Sequence, residues 1–333
     1  MSPTVLGVDV GGTKIAVAVL HDGQLSAASL EPSSHTDGGH VIDQLASAIA
    51  DRAAAAPAPI EAVGIGVPSV IDFAAGRVRS TVNLPLSDVP LRDLLSERLS
   101  LPVFVDNDAN CAALAEAHDD DGQPDVQHLV MFTLGTGVGG GIIIGGRIYR
   151  GATGAAGEMG HQLIGLPLDR GVPPATHFPQ PGSLESLASG RALDALAIRA
   201  AQEHPDSALG RLAAAGQTVA GPDAVHAAHA GDPAAIAAVL LLGQRLGVGI
   251  ANAINVFDPE VVAISGGVSS AGELLLDAAR ETAGRYVLPG VGTRTEIRLA
   301  RSGPDAGVRG AALLAAQELA HDPPPARRPA QAR

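Results

Sequence analysis

The sequence predicts an α/β chain organised in two lobes. Three observations carry that expectation. A strand, a glycine turn and a returning strand occur at residues 5–20 and recur at 129–144, an internal repeat about one lobe apart. Short β-branched runs alternate elsewhere with Ala/Leu-rich stretches of helical spacing. Between the two hairpins, Asp119-Asp120-Asp121-Gly122-Gln123-Pro124 is a charged break that marks a lobe boundary.

The first lobe is expected over 1–122 and opens on VLGVDVGGTKIAVAVL. Its strand ends at Asp9, Gly11, Gly12 and Thr13 make the turn, and Lys14 leads into the return. A third strand is expected after His21-Asp22-Gly23. An Ala-rich helix over 41–56 stops at Pro57 and Pro59, and 62–67 reads as a buried strand. A polar extended stretch at 76–83, a helix over 91–99 and a short strand at 103–105 follow. Asp106-Asn107-Asp108-Ala109-Asn110 then falls where that strand becomes a helix running to Glu116. A helix cap needs one such residue, and this cluster supplies four polar side chains. In an open α/β sheet, ligands sit beyond the carboxyl ends of strands, which is where this cluster lies.

The second lobe is expected over 123–305. After the strand at 129–134 comes Gly135-Thr136-Gly137-Val138-Gly139-Gly140-Gly141, nearly bare of side chains. Glycine there admits close backbone approach to an anion and a left-handed φ without cost. Gly135, Gly137 and Gly140 fit G-x-G-x-x-G, but that dinucleotide fingerprint must open a helix, and here Ile142-Ile143-Ile144 opens a strand. No G-x-x-x-x-G-K-[ST] occurs either. Glu158 and His161 stand three residues apart, on one face if the segment is helical. Long helices are expected at 183–201 and 234–256, and a strand at 261–264 runs into Ser265-Gly266-Gly267-Val268. A helix at 274–283, a strand at 297–300 and a helix at 308–319 complete the order. The Pro-rich end, 321–333, reads as a disordered tail.

D-x-G-G-T-K from Asp9 to Lys14, N-D-A-N from Asn107 to Asn110, G-T-G-x-G-G-G from Gly135 to Gly141 and E-x-G-H from Glu158 to His161 resemble the ROK family. The similarity extends over about 5–317. It implies the two-lobed actin-like, hexokinase-like ATPase fold, with a nucleotide and sugar cleft between the lobes and a last helix, 306–320, returning to the first. It implies ATP-dependent phosphorylation of a hexose, foremost glucose to glucose 6-phosphate. Under it, Asp108 takes the proton from the sugar hydroxyl, and Asn107, Glu158, His161 and Glu185 bind the sugar. Gly11, Gly12, Thr13, Lys14, Gly135, Thr136, Gly137, Gly266 and Gly267 bind the nucleotide, and Asp9 holds Mg2+ through water. The family also carries a cysteine cluster whose zinc takes His161 as fourth ligand. Here 163–183 has no cysteine, and Gly182-Ser183-Leu184-Glu185 replaces Gly-Cys-Leu-Glu, so no zinc site is expected.

Composition narrows the alternatives. Lys+Arg 22 against Asp+Glu 35 leaves −13, without the basic footprint of a nucleic-acid binder. Cys111 is the single cysteine, so no intramolecular disulfide can form. Aromatics are 2%, which leaves few platforms for stacking bases. No signal-like start and no uninterrupted apolar run of membrane length is read, so a cytoplasmic enzyme is expected, as a homodimer or homotetramer. Kinases for N-acetylmannosamine, N-acetylglucosamine, mannose or fructose are alternatives. A catalytically silent sugar-binding protein and a sugar-sensing repressor are others; the first strand starts too early for a helix-turn-helix before it. Polyphosphate as donor is disfavoured by the G-G-T-K form of the first turn.

Overall fold

The computed structural model describes residues 3–81, 84–169, 171–175 and 177–321. The tail expected at 321–333 lies outside these, apart from His321, which ends the last helix. The chain forms two compact α/β units. One gathers Met1–Asp125, Arg150–Ala156 and Ser302–Arg333; the other gathers Val126–Tyr149 and Gly157–Arg301.

In the first unit, Val5–Val10 pairs antiparallel with Lys14–His21 and parallel with Ala62–Val67, which pairs parallel with Val103–Asn107. Gln24–Leu25 and Ser29–Pro32 both pair with the returning strand, so four strands stand where three were expected. The registers set Asp9 opposite Gly66 and Gly66 opposite Asp106. Three parallel strands therefore end level, with two carboxylates at their mouth. A smaller sheet, Ser69–Asp72, Arg77–Thr81 and Ser87–Val89, accounts for most of the extended stretch expected at 76–83. Leu6, Val8, Ile15, Leu45, Ile49, Ile65, Leu91 and Leu95 belong to the core of the first unit, built without a tryptophan.

The last helix, Ala306–His321, lies on this sheet at glycine-width distance. A Cβ on Gly7 would stand 2.0 Å from the Val308 carbonyl oxygen, and one on Gly64 1.8 Å from that of Ala311. On its other side, a Cβ on Gly310 would stand 1.7 Å from the Cys111 carbonyl oxygen in the helix Asp108–Glu116. Glycine is required at these three positions by space rather than by φ.

The second unit repeats the strand pattern: His128–Leu134 pairs antiparallel with Val138–Ile144 and parallel with Val261–Ser265, which pairs parallel with Glu296–Leu299. Its core is built on Pro233–Phe257, packed against Glu273–Tyr286. That 25-residue helix is long and apolar enough to cross a membrane, but Val239, Leu242, Leu246, Ile250 and Ile254 along it are buried in the protein core. The helix expected over 183–201 is two: Leu184–Ala188 and Gly190–Glu203. Ser189 stands extended between them, and its hydroxyl accepts from the Ala192 N–H, capping the second helix. Two helices that the sequence reading leaves out, Ala208–Ala214 and Gly221–His229, complete the unit.

Candidate active site

The mouth of the first sheet is built by the strand Val103–Asn107 turning into the helix Asp108–Glu116. The Asn107 Oδ1 accepts the N–H groups of Ala109 and Asn110, at 2.9 and 3.1 Å, so Asn107 itself is the cap. Its Nδ2 donates to the Ser69 carbonyl at 3.2 Å. The Asp108 Oδ1 accepts the Ala109 N–H as well, at 2.9 Å. Asp108 is half-buried; burial raises its carboxyl above the ordinary value against the pull of nearby backbone N–H groups, Ala109 first. Asp9 is raised to about 6, by burial first and by Asp108 second, with Lys14 opposing. Gly66, on the strand between Val5–Val10 and Val103–Asn107, is missed by sequence reasoning. A Cβ on it would stand 3.3 Å from the Cys111 Sγ, a tight approach, and 3.5 Å from the Asp108 Cα, an ordinary contact.

The first glycine turn is tied by the Gly11 N–H donating to the Lys14 carbonyl at 2.8 Å and the Ser33 hydroxyl donating to the Gly11 carbonyl at 2.7 Å. Thr13 and Lys14 are exposed on it. No left-handed φ, which the glycines of the second turn would admit, is found in either turn: Gly11, Gly135, Gly137 and Gly140 all lie outside that region. Around a Cβ on Gly135 the protein has nothing within 4 Å, whereas one on Gly137 would stand 2.4 Å from the Glu185 Oε2. Glu185 lies against this turn, its carboxylate accepting the Val138 N–H at 2.8 Å.

Gly135 and Thr136 open onto a pocket of about 300 Å³ within the second unit. Leu193, Val225 and Val268 give it apolar walls, and Arg191 and Asp194 stand at polar positions. The break at Ser189 makes room for it: the Gly190 N–H donates to the Gly135 carbonyl at 2.8 Å, where a Cβ on Gly190 would stand 2.6 Å from that oxygen. The Gly266-Gly267 pair divides its roles. Gly266 has φ 88° and packs on Leu134, where a Cβ would stand 2.4 Å from a carbonyl oxygen, whereas Gly267 faces the pocket with nothing within 4 Å. Asp194 accepts the Gly221 N–H at 2.6 Å, joining the two helices that the sequence reading merged or left out. The Ser189-Gly190 and Gly221-Pro222 pairs were the available signals for these residues.

Glu158 leads into a short 3-10 turn, Met159–His161, whose pitch brings its carboxylate 3.8 Å from the His161 Nε2. The His161 ring also meets the Phe178 ring edge-on, with centroids 5.4 Å apart, and its Nδ1 is buried without a partner. Among the described residues no three His, Cys, Asp or Glu side chains are grouped to hold a metal. With no cysteine between residues 163 and 183, this loop offers no thiolate for a zinc shell.

Residues 5–318 match the ROK family, and the chain belongs to it. The glucokinase of Halalkalibacterium halodurans is 37% identical over 318 residues, spanning 94% of this chain and 95% of that protein. The ROK hexokinase of Thermus thermophilus is 34% identical with a TM-score of 0.76, over 96% of this chain and 100% of that one. A ROK family glucokinase from Streptomyces griseus, solved with glucose and AMPPNP, is 34% identical with a TM-score of 0.73, over 94% and 99%. The hexokinase-like ATPase fold expected from the sequence is thus the fold of this chain.

Proposed function

We propose that the protein phosphorylates glucose at the expense of ATP, giving glucose 6-phosphate. It is a sugar kinase, as its full-length likeness to glucokinases supports. The observation that carries the reading is Asp108: a half-buried carboxylate of raised pKa, beside the Asn107 cap at the mouth of three parallel strands. Phosphoryl transfer asks a protein mainly for positioning and charge neutralisation. Asp108 accepts the proton of the attacking hydroxyl, which a carboxylate with a raised pKa does better than an ordinary one. Asn107, Glu158, His161 and Glu185 are assigned to the sugar hydroxyls, where a mismatched sugar leaves polar groups unpaired.

The pocket lined by Leu193, Val225 and Val268 takes the purine, and Gly267 and Gly135 leave room for the rest of the nucleotide. The backbone N–H groups of both glycine turns, with Thr13, Lys14 and Thr136, are assigned to the phosphates. Magnesium bound with the triphosphate would neutralise charge during transfer. Asp9 fits it: burial and Asp108 both penalise its ionisation, and a cation relieves that penalty. A coupled assay for ADP release over glucose, mannose, fructose and the N-acetylated hexosamines tests the proposal. Glucose should give the highest kcat/KM, and ADP release that no sugar stimulates would refute it.

A further inference from the structure

Arg150 stands outside all of the roles assigned so far, yet it is an enclosed cation bound to Asp106 at the Asp108 corner. It begins the segment Arg150–Ala156, which interrupts the second unit in sequence but belongs to the first. Its side chain is 17% exposed. The Nε donates to the Asp106 Oδ2 at 2.6 Å, an Nη donates to the Glu318 Oε1 at 3.2 Å, and the guanidinium carbon lies 3.5 Å from the centre of the Phe73 ring. Asp106 is 2% exposed, and its other oxygen accepts the Asn107 N–H at 2.8 Å and the Asn110 Nδ2 at 2.9 Å. One carboxylate thus takes Arg150 on one oxygen and the backbone and helix of the catalytic corner on the other.

The same segment grips the corner a second time. Gly154 lies on the strand Ser69–Asp72, where a Cβ would stand 1.8 Å from the Ile71 carbonyl oxygen. That strand supplies the Ser69 carbonyl to the Asn107 Nδ2. We propose that Arg150 is a positioning residue for phosphoryl transfer: through Asp106 it fixes the peptide of Asn107 and hence the direction of Asp108. Only a guanidinium serves the site fully, because one planar group must meet two carboxylates and cover a ring. This inference rests on Asp108 being the base of a sugar kinase.

The test compares Arg150→Met, Arg150→Lys and the double variant Arg150→Met/Asp106→Asn in the full-length protein with glucose and ATP. Misplacement of a reacting group by an ångström costs up to about 10²-fold in rate, so Arg150→Met should lose about 10–100-fold in kcat. KM for glucose and ATP should change much less, and Arg150→Lys should recover part of kcat. The double variant removes the Arg150 and Asp106 charges but keeps that of Glu318, so its melting temperature should recover only in part towards wild type. Its kcat should stay low, because the corner is no longer held. Recovery of kcat together with stability would overturn the proposal, showing that Arg150 only balances a buried charge. Wild-type kcat in Arg150→Met would overturn it too. Failure of the wild type to phosphorylate any hexose would instead sink the kinase reading on which it stands.

Discussion

Asp108 and Asp9 sit where burial works against their ionisation, and this ties catalysis to stability at the scale of single residues. Asp108→Asn keeps shape and one acceptor oxygen but removes the carboxylate proposed as base, so turnover should fall by about 10²–10⁴-fold with little change in sugar affinity. Its melting temperature at pH 7.5 should match or exceed that of the wild type, because the carboxyl it removes is one that burial penalises when charged. Near-normal turnover would take Asp108 out of the mechanism. For Asp9 the sign is explicit. A carboxyl raised from 3.8 to about 6 contributes stability below pH 3.8 that is lost as pH rises through about 6. At pH 7.5, in magnesium-free buffer, Asp9→Asn should therefore be more stable than wild type by about 3 kcal/mol. Urea melts between pH 7.5 and 4 should show that gap closing as pH falls through about 6. A constant gap would place the effect elsewhere than in Asp9.

At the scale of elements, the second glycine turn separates two positions that look alike in sequence. Gly135 has free space on its side-chain face, and Gly137 has the Glu185 carboxylate. Gly135→Ala should leave the melting temperature unchanged and raise KM for ATP, since only a ligand can meet the new methyl. Gly137→Ala should displace Glu185 and cost stability before any ligand is added. Equal effects of the two on stability would show that the turn is merely structural. The loop between His161 and Ser183 is held without thiolates, by packing that includes the His161–Phe178 contact. Elemental analysis of the purified protein should accordingly find well under one zinc per chain. A stoichiometric zinc would mean that other donors complete the shell.

At the scale of the molecule, the first unit is completed by its last helix, Ala306–His321, joined to its first strands across the whole second unit in sequence. Gly7, Gly64 and Gly310 let that helix approach within backbone contact. Gly64→Val should force sheet and helix apart and destabilise by about 3 kcal/mol, the upper part of the usual overpacking range. Truncation after Gly303 should remove phosphorylating activity and expose the first unit's core to a hydrophobic dye. Persistent turnover in the truncated chain would show that the first unit closes without the helix.

What the sequence determined by itself was local: the strand–turn–strand hairpins, the order of most elements, and the Asp106–Asn110 corner. These follow from periodicity, turn residues and caps, which act over a few residues and so are legible in one string. The 183–201 segment was misread as one helix because its Ala/Leu spacing continues through Ser189, whereas the fold needs Gly190 bare against Gly135. Likewise, nothing local distinguishes Gly135 from Gly137 or Gly266 from Gly267. Arg150 reads as an ordinary charged residue after a short strand, and only the fold places it between Asp106 and Glu318, 44 residues before it and 168 after. Tertiary structure decided these roles because each depends on what occupies the space beside the residue. The neighbours that fill or leave that space come from distant parts of the chain.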